Sequence, residues 1–527
     1  MKHAHLTTVI APALLCWIFG SAAAEPGAAQ QSTRARNAGR PELAPEELRR
    51  VVALIADDSM AGRATPSREL NLAAEYLAHA FSSAGLMPLG DDGTFLQRFP
   101  VTETTLDQRS ARVDIGSLAT WRFGTDYWHV GGMGGVPVGE LRGSVVIVSG
   151  KITRESVAEL NVRGKLVIYR SPLNARGAPT DVGGGFALGA AGALAVLVPG
   201  NRPDTLWRRI GRDPDEHKPA THAAWPVWTA ASAPLAVNAI RFMPVLEVWG
   251  GRFDALLARA GLDTSMFAAP DAAPKVVALD ADGVFRFERE IRRVSWAPNV
   301  VAMLPGRDPI LRHEYVIVTA HLDGLGRSPH APPGPENVLN GADDNASGVA
   351  AILQMAKALV AAPRPKRSVV FVAVSGEELG LWGSDYFAAR PPVPVASIVA
   401  NINMDMVGRA NGDSVYVTGR NHPVVSAVVG AALTRERRGL HVLDEAALNA
   451  RYPNERFDER SDSENFRRRG IPSVSFFTGP HTDYHETTDD VATLNYDSLS
   501  RIASLALDVT VALADGTLPP RPGTPRR

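Results

Sequence analysis

In the stretch YVIVTAHLD, residues 315–323, an apolar run of strand length ends in a histidine, and an aspartate follows two residues later. Four similar apolar runs and three segments of helical length follow it: the runs 368–374, 398–404, 414–418 and 473–477, and the helical segments 348–360, 424–433 and 499–513. Strands that alternate with helices are typical of a sheet with helices packed on its faces. We therefore predict an α/β fold with a mixed, mostly parallel sheet flanked by helices.

Acidic and imidazole side chains come directly after these predicted strands. They are His321 and Asp323 after the first strand, Asp343 and Asp344 in the stretch NGADDNASG at 340–348, Glu377 and Glu378 after the second strand, Asp405 after the third, and His485 after the last. An α/β sheet presents its ligand crevice at the carboxyl ends of its strands. We therefore expect these side chains to converge at one edge of the sheet.

Most of these residues have an ordinary explanation when they are taken alone. Asp343 and Asp344 would suit the N-terminal cap of the next helix, and Glu377 and Glu378 would suit a solvated first turn. Asp405 is harder to explain, because a carboxylate that ends an apolar strand is costly unless it is paired or coordinated. The combination favours two divalent ions, which need one bridging carboxylate plus one histidine and one further carboxylate per ion.

A general base and an orienting residue are also available. Neighbouring residues of a turn point in different directions, so one of Glu377 and Glu378 can bind metal while the other accepts a proton from water. The carboxylate of Asp323 can accept the second N–H of the His321 imidazole and fix its orientation.

Five ordered motifs resemble those of the co-catalytic zinc aminopeptidase family, which includes bacterial leucyl aminopeptidases and glutamate carboxypeptidases. The motifs are HLD at 321–323, NGADDNASG at 340–348, SGEELGLWGS at 375–384, NMD at 403–405 and DYH at 483–485. The resemblance covers about residues 292–513. It implies the zinc exopeptidase fold, two Zn²⁺ ions per chain and peptide substrates.

The resemblance also implies a role for each matched residue. Asp343 would bridge both ions, Glu378 and His485 would complete one site, and His321 and Asp405 would complete the other. Glu377 would be the general base. Asp323 and Asp344 would support the ligands without binding metal themselves. It places a cis peptide bond between Asp343 and Asp344. His481 is an alternative to His485, which the family pattern favours because it follows Asp-Tyr.

The predicted function is a zinc-dependent aminopeptidase, in which a metal-bridged water activated by a glutamate base releases N-terminal amino acids. An acidic site attracts a protonated amine. The alternatives are a carboxypeptidase, a glutaminyl-cyclase-like acyltransferase with a single zinc ion, and a metal-free binding protein on the same fold. A carboxypeptidase needs a cationic fork, for which Arg456, Arg460 and 467–469 are candidates. No His-Glu-x-x-His or Gly-x-Ser-x-Gly motif is present.

The chain has 527 residues, and its composition and apolar patterns predict how it is divided into segments. We predict a signal peptide at 1–24, a linker at 25–40, the N-terminal part of the peptidase at 41–130, an inserted strand-rich domain at 131–285 that resembles the protease-associated domain, the catalytic domain at 286–515 and a disordered tail at 516–527. The only cysteine, Cys16, lies in the predicted signal, so we expect a periplasmic or secreted protein without disulfides or a membrane anchor. A formal net charge of -1 argues against a nucleic-acid partner, and the oligomeric state stays open.

Overall fold

The structure is a computed structural model. It describes residues 42–516 apart from 107–109, 130–138, 174–180, 202–226, 231–244, 288, 329–333, 421, 437, 454 and 456. The predicted signal, the linker and all but the first residue of the predicted tail lie outside the described residues. Within the described residues, no helix has the length and apolar character needed to cross a membrane.

The strands are β1 (Met87–Pro88), β2 (Leu96–Leu106), β3 (Arg112–Ile115), β4 (Ala119–Arg122), β5 (Tyr127–His129), β6 (Gly139–Ser149), β7 (Leu166–Arg170), β8 (Ala195–Gly200), β9 (Val227–Ala230), β10 (Val245–Trp249), β11 (Lys275–Phe287), β12 (Arg289–Leu304), β13 (Tyr315–His321), β14 (Gly326–Arg327), β15 (Val338–Leu339), β16 (Ser368–Val374), β17 (Ile398–Met404), β18 (Ser414–Thr418), β19 (His441–Leu443) and β20 (Ser473–Phe477). The α-helices are Pro45–Ile55, Arg68–Ser83, Arg154–Glu159, Val182–Ala190, Gly250–Arg259, Gly348–Ala361, Trp382–Ala389, Pro423–Thr434, Glu445–Arg451, Ser463–Arg468 and Tyr496–Asp515.

The larger sheet is mixed and has the order β19-β18-β20-β17-β13-β16-β12-β2-β9, with β1 paired to β12. Its centre is parallel, because β16, β13, β17 and β20 all run in one direction. The prediction of a mixed sheet with helices is therefore confirmed. The five predicted strands agree with β13, β16, β17, β18 and β20 to within one residue.

Both faces of the central strands are buried, which explains why these strands are mostly apolar rather than alternating. Val316 and Val318 of β13 face a core that includes the helices Pro45–Ile55, Gly348–Ala361 and Tyr496–Asp515. Ile317, between them, faces the opposite core with Phe387 and Phe466. Successive strand residues point to opposite faces, so two helical layers enclose the sheet and leave its strand ends for the site.

A second sheet has the order β4-β3-β11-β6-β7-β8-β10-β5 and spans residues 112–287. Its strands β6, β7 and β8 lie within the region 131–285, which the sequence predicts to be strand-rich. Strand β9, from the same part of the chain, instead pairs with β2 in the larger sheet. The boundaries of the insert and its resemblance to a protease-associated domain stay predictions.

Candidate metal centre

Three parallel strands deliver side chains to the same edge of the larger sheet. His321 is the last residue of β13 and pairs with Val374, the last residue of β16. Glu378 comes from the turn after β16, and Asp405 directly follows β17. Asp344 comes from the irregular helical turn Ala342–Ser347, and His485 from the loop after β20. Strand polarity therefore brings together residues that are far apart in the sequence.

Two groups of possible metal ligands share the carboxylate of Asp344. In the first group, His321 Nε2 lies 3.1 Å from Asp344 Oδ1 and 3.4 Å from Asp405 Oδ1. In the second group, His485 Nε2 lies 3.2 Å from Asp344 Oδ2 and 3.4 Å from Glu378 Oε2. The two oxygens of one side chain thus serve separate groups, as a bridging ligand must.

These spacings fit zinc. Tetrahedral ligands with bonds of about 2.0–2.1 Å lie about 3.3 Å from one another. Asp405 Oδ1 and His485 Nε2 are buried and have no hydrogen-bond partner among the described residues, and a buried polar atom is usually satisfied. A cation between the ligands would satisfy both atoms, so the donor set suits two zinc ions.

The expected bridge must be corrected, because Asp344 rather than Asp343 lies between the two groups. Asp343 is fully buried, its Oδ1 accepts a hydrogen bond from the Gly408 amide at 2.6 Å, and its Oδ2 lies 3.2 Å from His481 Nε2. The cis peptide bond is Asp344–Asn345, one residue later than predicted. Consecutive residues of a turn point in different directions, so only one of these two aspartates can face the ligands.

His321 is oriented through the backbone of Asp323 instead of the predicted carboxylate. Its Nδ1 lies 3.1 Å from the Asp323 carbonyl oxygen but 3.7 Å from the nearest carboxylate oxygen of the same residue. A carbonyl can only accept, so this contact requires a proton on Nδ1 and leaves Nε2 with a lone pair for metal. The Asp323 carboxylate accepts from the Thr65 hydroxyl at 3.1 Å and the Glu377 amide at 3.2 Å.

The site carries an excess of negative charge in a buried place. Burial, together with the Asp344 carboxylate, raises the pKa of Glu378. Burial opposes protonation of His485, but the nearby carboxylates of Asp344 and Glu378 outweigh it and raise the pKa of His485 to about 10. Buried carboxylates are costly without compensating cations. Two dications would supply that compensation.

Glu377 is separate from both ligand groups and only half-buried. Burial raises its pKa well above the usual value, and the carboxylates of Glu378 and Asp405 add to the shift while His321 opposes it. A carboxylate with a raised pKa is a better proton acceptor for catalysis near neutral pH. The role of Glu377 as general base stays a prediction, which its position beside the ligand Glu378 supports.

The arginines considered for a carboxylate fork are engaged elsewhere. Arg467 and Arg468 both pair with Glu464 of their own helix, at 3.0 and 2.9 Å. Arg469 pairs with Asp385 at 2.7 Å, and Arg460 with Glu455 at 3.0 Å. Arg456 lies outside the described residues. The described members of this set therefore form ordinary ion pairs.

Sequence reasoning missed several residues that hold the ligands. Asp489 accepts hydrogen bonds from the Asp343 and Asp344 amides at 3.0 Å, and Ser461 donates to Asp405 Oδ2 at 2.6 Å. Arg63 and Thr65 contact the ligand loops from the N-terminal part of the chain. Ser461 is 56 residues from Asp405, and Arg63 is 277 residues from Asn340, so no local sequence pattern links these residues to the site.

A pocket opens beside the second ligand group. Its lining consists of Leu325, Leu339, Gly341, Asp344, Glu378, His485, Glu486 and Asp489. Two leucines provide apolar surface, while the other side chains apart from the histidine are carboxylates. This combination suits a ligand with a cationic end and an apolar side chain.

Gly341 permits the turn that presents Asp344. Its φ is +56°, and a β-carbon there would lie 2.1 Å from the Asp344 carbonyl oxygen. We expect Gly341→Ala to weaken zinc binding at least 10-fold, because substitution of a residue that supports metal ligands typically lowers the metal affinity by about that factor or more. Gly412→Ala is the matched control, because Gly412 has φ +57° with no atom near its β-carbon position. Chelator competition measures the difference, and equal zinc affinity in both variants would contradict this role.

Comparison with known proteins agrees with the predicted family resemblance and fold class. Residues 299–510 match the model of Peptidase family M28, which confirms the predicted family resemblance for the part of the chain that carries the ligands. A probable zinc metalloprotease of Pyricularia oryzae is 27% identical over 261 residues, covering 41% of this chain and 50% of that protein. A probable lipoprotein aminopeptidase, LpqL, of Mycobacterium tuberculosis is 32% identical over 218 residues, covering 37% of this chain and 40% of that protein. The chain thus spans half or less of the length of these two relatives.

A solved structure extends the similarity in fold over most of the chain. The aminopeptidase from Aneurinibacillus sp. strain AM-1 is 20% identical, with a TM-score of 0.50, and the match covers 92% of this chain and 98% of that one. At this level of identity the similarity concerns the fold alone, and it confirms the predicted α/β fold class.

Proposed function

We propose that this chain is a zinc-dependent exopeptidase that removes amino-terminal residues from peptides. The observation that carries the proposal is the position of Asp344, whose two carboxylate oxygens each face a separate histidine and acid. The match to Peptidase family M28 and the relatives named as zinc metalloprotease and aminopeptidase support it.

The proposal assigns the ligands to two zinc ions. His321, Asp344 and Asp405 would hold one ion, and Asp344, Glu378 and His485 would hold the other. Bound zinc supplies a Lewis acid that polarises a carbonyl group and makes water more acidic. Asp323 keeps the His321 ring in the tautomer that leaves Nε2 available, and Ser461 holds the Asp405 carboxylate in place.

Glu377 would move the proton in this reaction. Its carboxylate takes a proton from the water whose oxygen attacks the scissile carbonyl carbon, and returns it to the departing nitrogen as the C–N bond breaks. The same group thus acts first as base and then as acid. The products are a free amino acid and a shortened peptide whose new amino-terminal nitrogen carries the transferred proton.

Amino-end recognition is favoured by the charge of the pocket. Glu486 and Asp489 line it in addition to the ligands Asp344 and Glu378, and such a surface attracts a protonated α-amine. Leu325 and Leu339 offer an apolar wall, so we expect neutral or apolar residues to be released. A free carboxylate would instead need a cation fork, and the described candidates are held in ion pairs.

A panel of matched substrates tests this proposal. We expect the zinc-loaded protein to hydrolyse leucyl- and alanyl-anilides and to lose this activity when the α-amine is acetylated, because acetylation removes the charge that the pocket attracts. Activity that survives N-acetylation, or that requires a free carboxyl end, would favour a carboxypeptidase. Release of cyclised glutamine with one zinc ion per chain would favour the acyltransferase.

Export through cleavage before Glu25 is part of the same proposal, motivated by Lys2 and the apolar run that contains Cys16. Intact mass spectrometry of the protein from the periplasm or medium is expected to give a chain that starts near Glu25 and does not change with reductant. A mass that retains Cys16 would contradict this expectation.

A further inference from the structure

A short segment from the N-terminal part of the chain, residues 61–65, lies against the ligand loops. Ala61, Gly62 and Arg63 have φ values of 46°, 68° and 51°, so three successive residues adopt a left-handed backbone. A β-carbon on Gly62 would lie 2.1 Å from the Gly326 carbonyl oxygen, which shows how closely the segment approaches its neighbours. We call residues 61–65 the brace.

The Arg63 side chain is fully buried, although arginine is almost never buried without partners. Nε donates to the Leu322 carbonyl at 2.9 Å, and Nη1 donates to the Asn340 carbonyl at 2.8 Å and the Ile55 carbonyl at 2.7 Å. Nη2 donates to the Gly341 carbonyl at 3.2 Å. Leu322 directly follows the ligand His321, and 340–341 lead directly into the turn of Asp344. One guanidinium therefore ties two ligand loops together.

Thr65 connects a third loop. Its hydroxyl donates to Asp323 Oδ2 at 3.1 Å and accepts from the Gly376 amide at 3.0 Å. Gly376 precedes Glu377 and Glu378, and the Asp323 backbone orients His321. The brace thus contacts the loops that follow β13, β15 and β16, by hydrogen bonds that span 258 to 311 residues of sequence.

The positive charge of Arg63 also suits its position near the carboxylates of the ligand loops. Burial lowers the pKa of Arg63 to about 10, although four nearby carboxylates act to raise it: Asp323, Asp489, Asp344 and Glu378. The side chain therefore stays a cation at neutral pH. A guanidinium has five donors in a fixed plane, and four contacts to carbonyls use most of them. Lysine could not reach the same set of acceptors.

We propose that Arg63 and Thr65 are positioning residues that set the geometry of both zinc sites from outside the matched family region. This inference rests on the proposed function, since it presumes that the ligand groups bind zinc. The hydrogen bonds of Arg63 go to backbone carbonyls, and those of Thr65 go to the Asp323 carboxylate and the Gly376 amide, so both residues act on the ligand loops rather than on the ligand atoms. Their loss should therefore change zinc affinity and the ligand field more than overall stability.

The experiment compares Arg63→Lys and Thr65→Val with two controls. Arg367→Lys is the matched control for the arginine, because Arg367 is also buried and donates to the Leu513 and Gly516 carbonyls at 3.2 and 2.6 Å. Thr65→Ser keeps the hydroxyl and controls for the threonine. Zinc affinity is measured by chelator competition on folded protein, and the cobalt-substituted form gives a ligand-field spectrum.

We expect Arg63→Lys and Thr65→Val to bind zinc about 10–100-fold more weakly and to shift the cobalt spectrum. Arg367→Lys should bind zinc normally even if its unfolding temperature falls, and Thr65→Ser should restore wild-type affinity. If Arg63→Lys does not fold, the Thr65 pair decides the matter. Wild-type zinc affinity and spectrum in Thr65→Val would overturn the inference, whereas failure of the wild-type chain to bind zinc would instead refute the proposed function.

Discussion

Glu377→Gln is expected to lower kcat by a factor of about 10²–10⁴ while the protein keeps both zinc ions. The amide has nearly the shape of the carboxylate but cannot accept the proton from water. Glu377 lies outside the two ligand groups, so its substitution should leave the metal content unchanged. Zinc content and kcat are measured on the same preparation.

Glu140→Gln is a suitable control for this experiment, because Glu140 lies on β6 of the second sheet, where its partly exposed carboxylate pairs with Arg142 and Arg286. It should retain wild-type kcat, since surface ion pairs contribute little. Loss of zinc in parallel with activity in Glu377→Gln would show that Glu377 is a ligand. Full activity would show that another group accepts the proton.

Asp344→Ala is expected to remove both zinc ions and all activity, because each ion would lose the ligand that it shares with the other. A bound ion stabilises the folded state in proportion to its affinity. Added zinc should therefore raise the unfolding temperature of the wild-type chain but not that of this variant. Metal analysis and thermal unfolding with and without zinc make the comparison.

The neighbouring substitution Asp343→Ala separates a bridging role from a structural one. It should lower the free energy of unfolding by about 1–3 kcal/mol, because the buried Gly408 amide loses its acceptor. Two zinc ions should nevertheless remain bound. The reverse result, with zinc lost from Asp343→Ala and kept by Asp344→Ala, would restore the assignment that the sequence pattern suggested.

The fold was predictable because its central strands are continuous apolar runs. Residues 368–374 and 398–404 are buried on both faces, and their length and flanking turns mark them as strands. The ligands at their ends were predictable for the same reason, since His321 and Asp405 stand directly at the carboxyl ends of β13 and β17. Local patterns therefore located both the sheet and most of its site.

Other features depend on geometry that a local pattern does not contain. Asp343 and Asp344 are equivalent in the sequence, and only the backbone of the turn determines which carboxylate faces the histidines. Arg63 contacts Asn340 across 277 residues, so no nearby residue marks it as part of the site. Asp323 orients His321 through its carbonyl group, which every residue has.

Anomalous diffraction at the zinc absorption edge would locate the metal ions and so test whether Asp344 joins two zinc sites. Crystals of the zinc-loaded protein should give two anomalous peaks, one beside His321 and Asp405 and the other beside Glu378 and His485, with one Asp344 oxygen on each. A single peak, or two peaks bridged by Asp343, would show that Asp344 is not the bridging ligand.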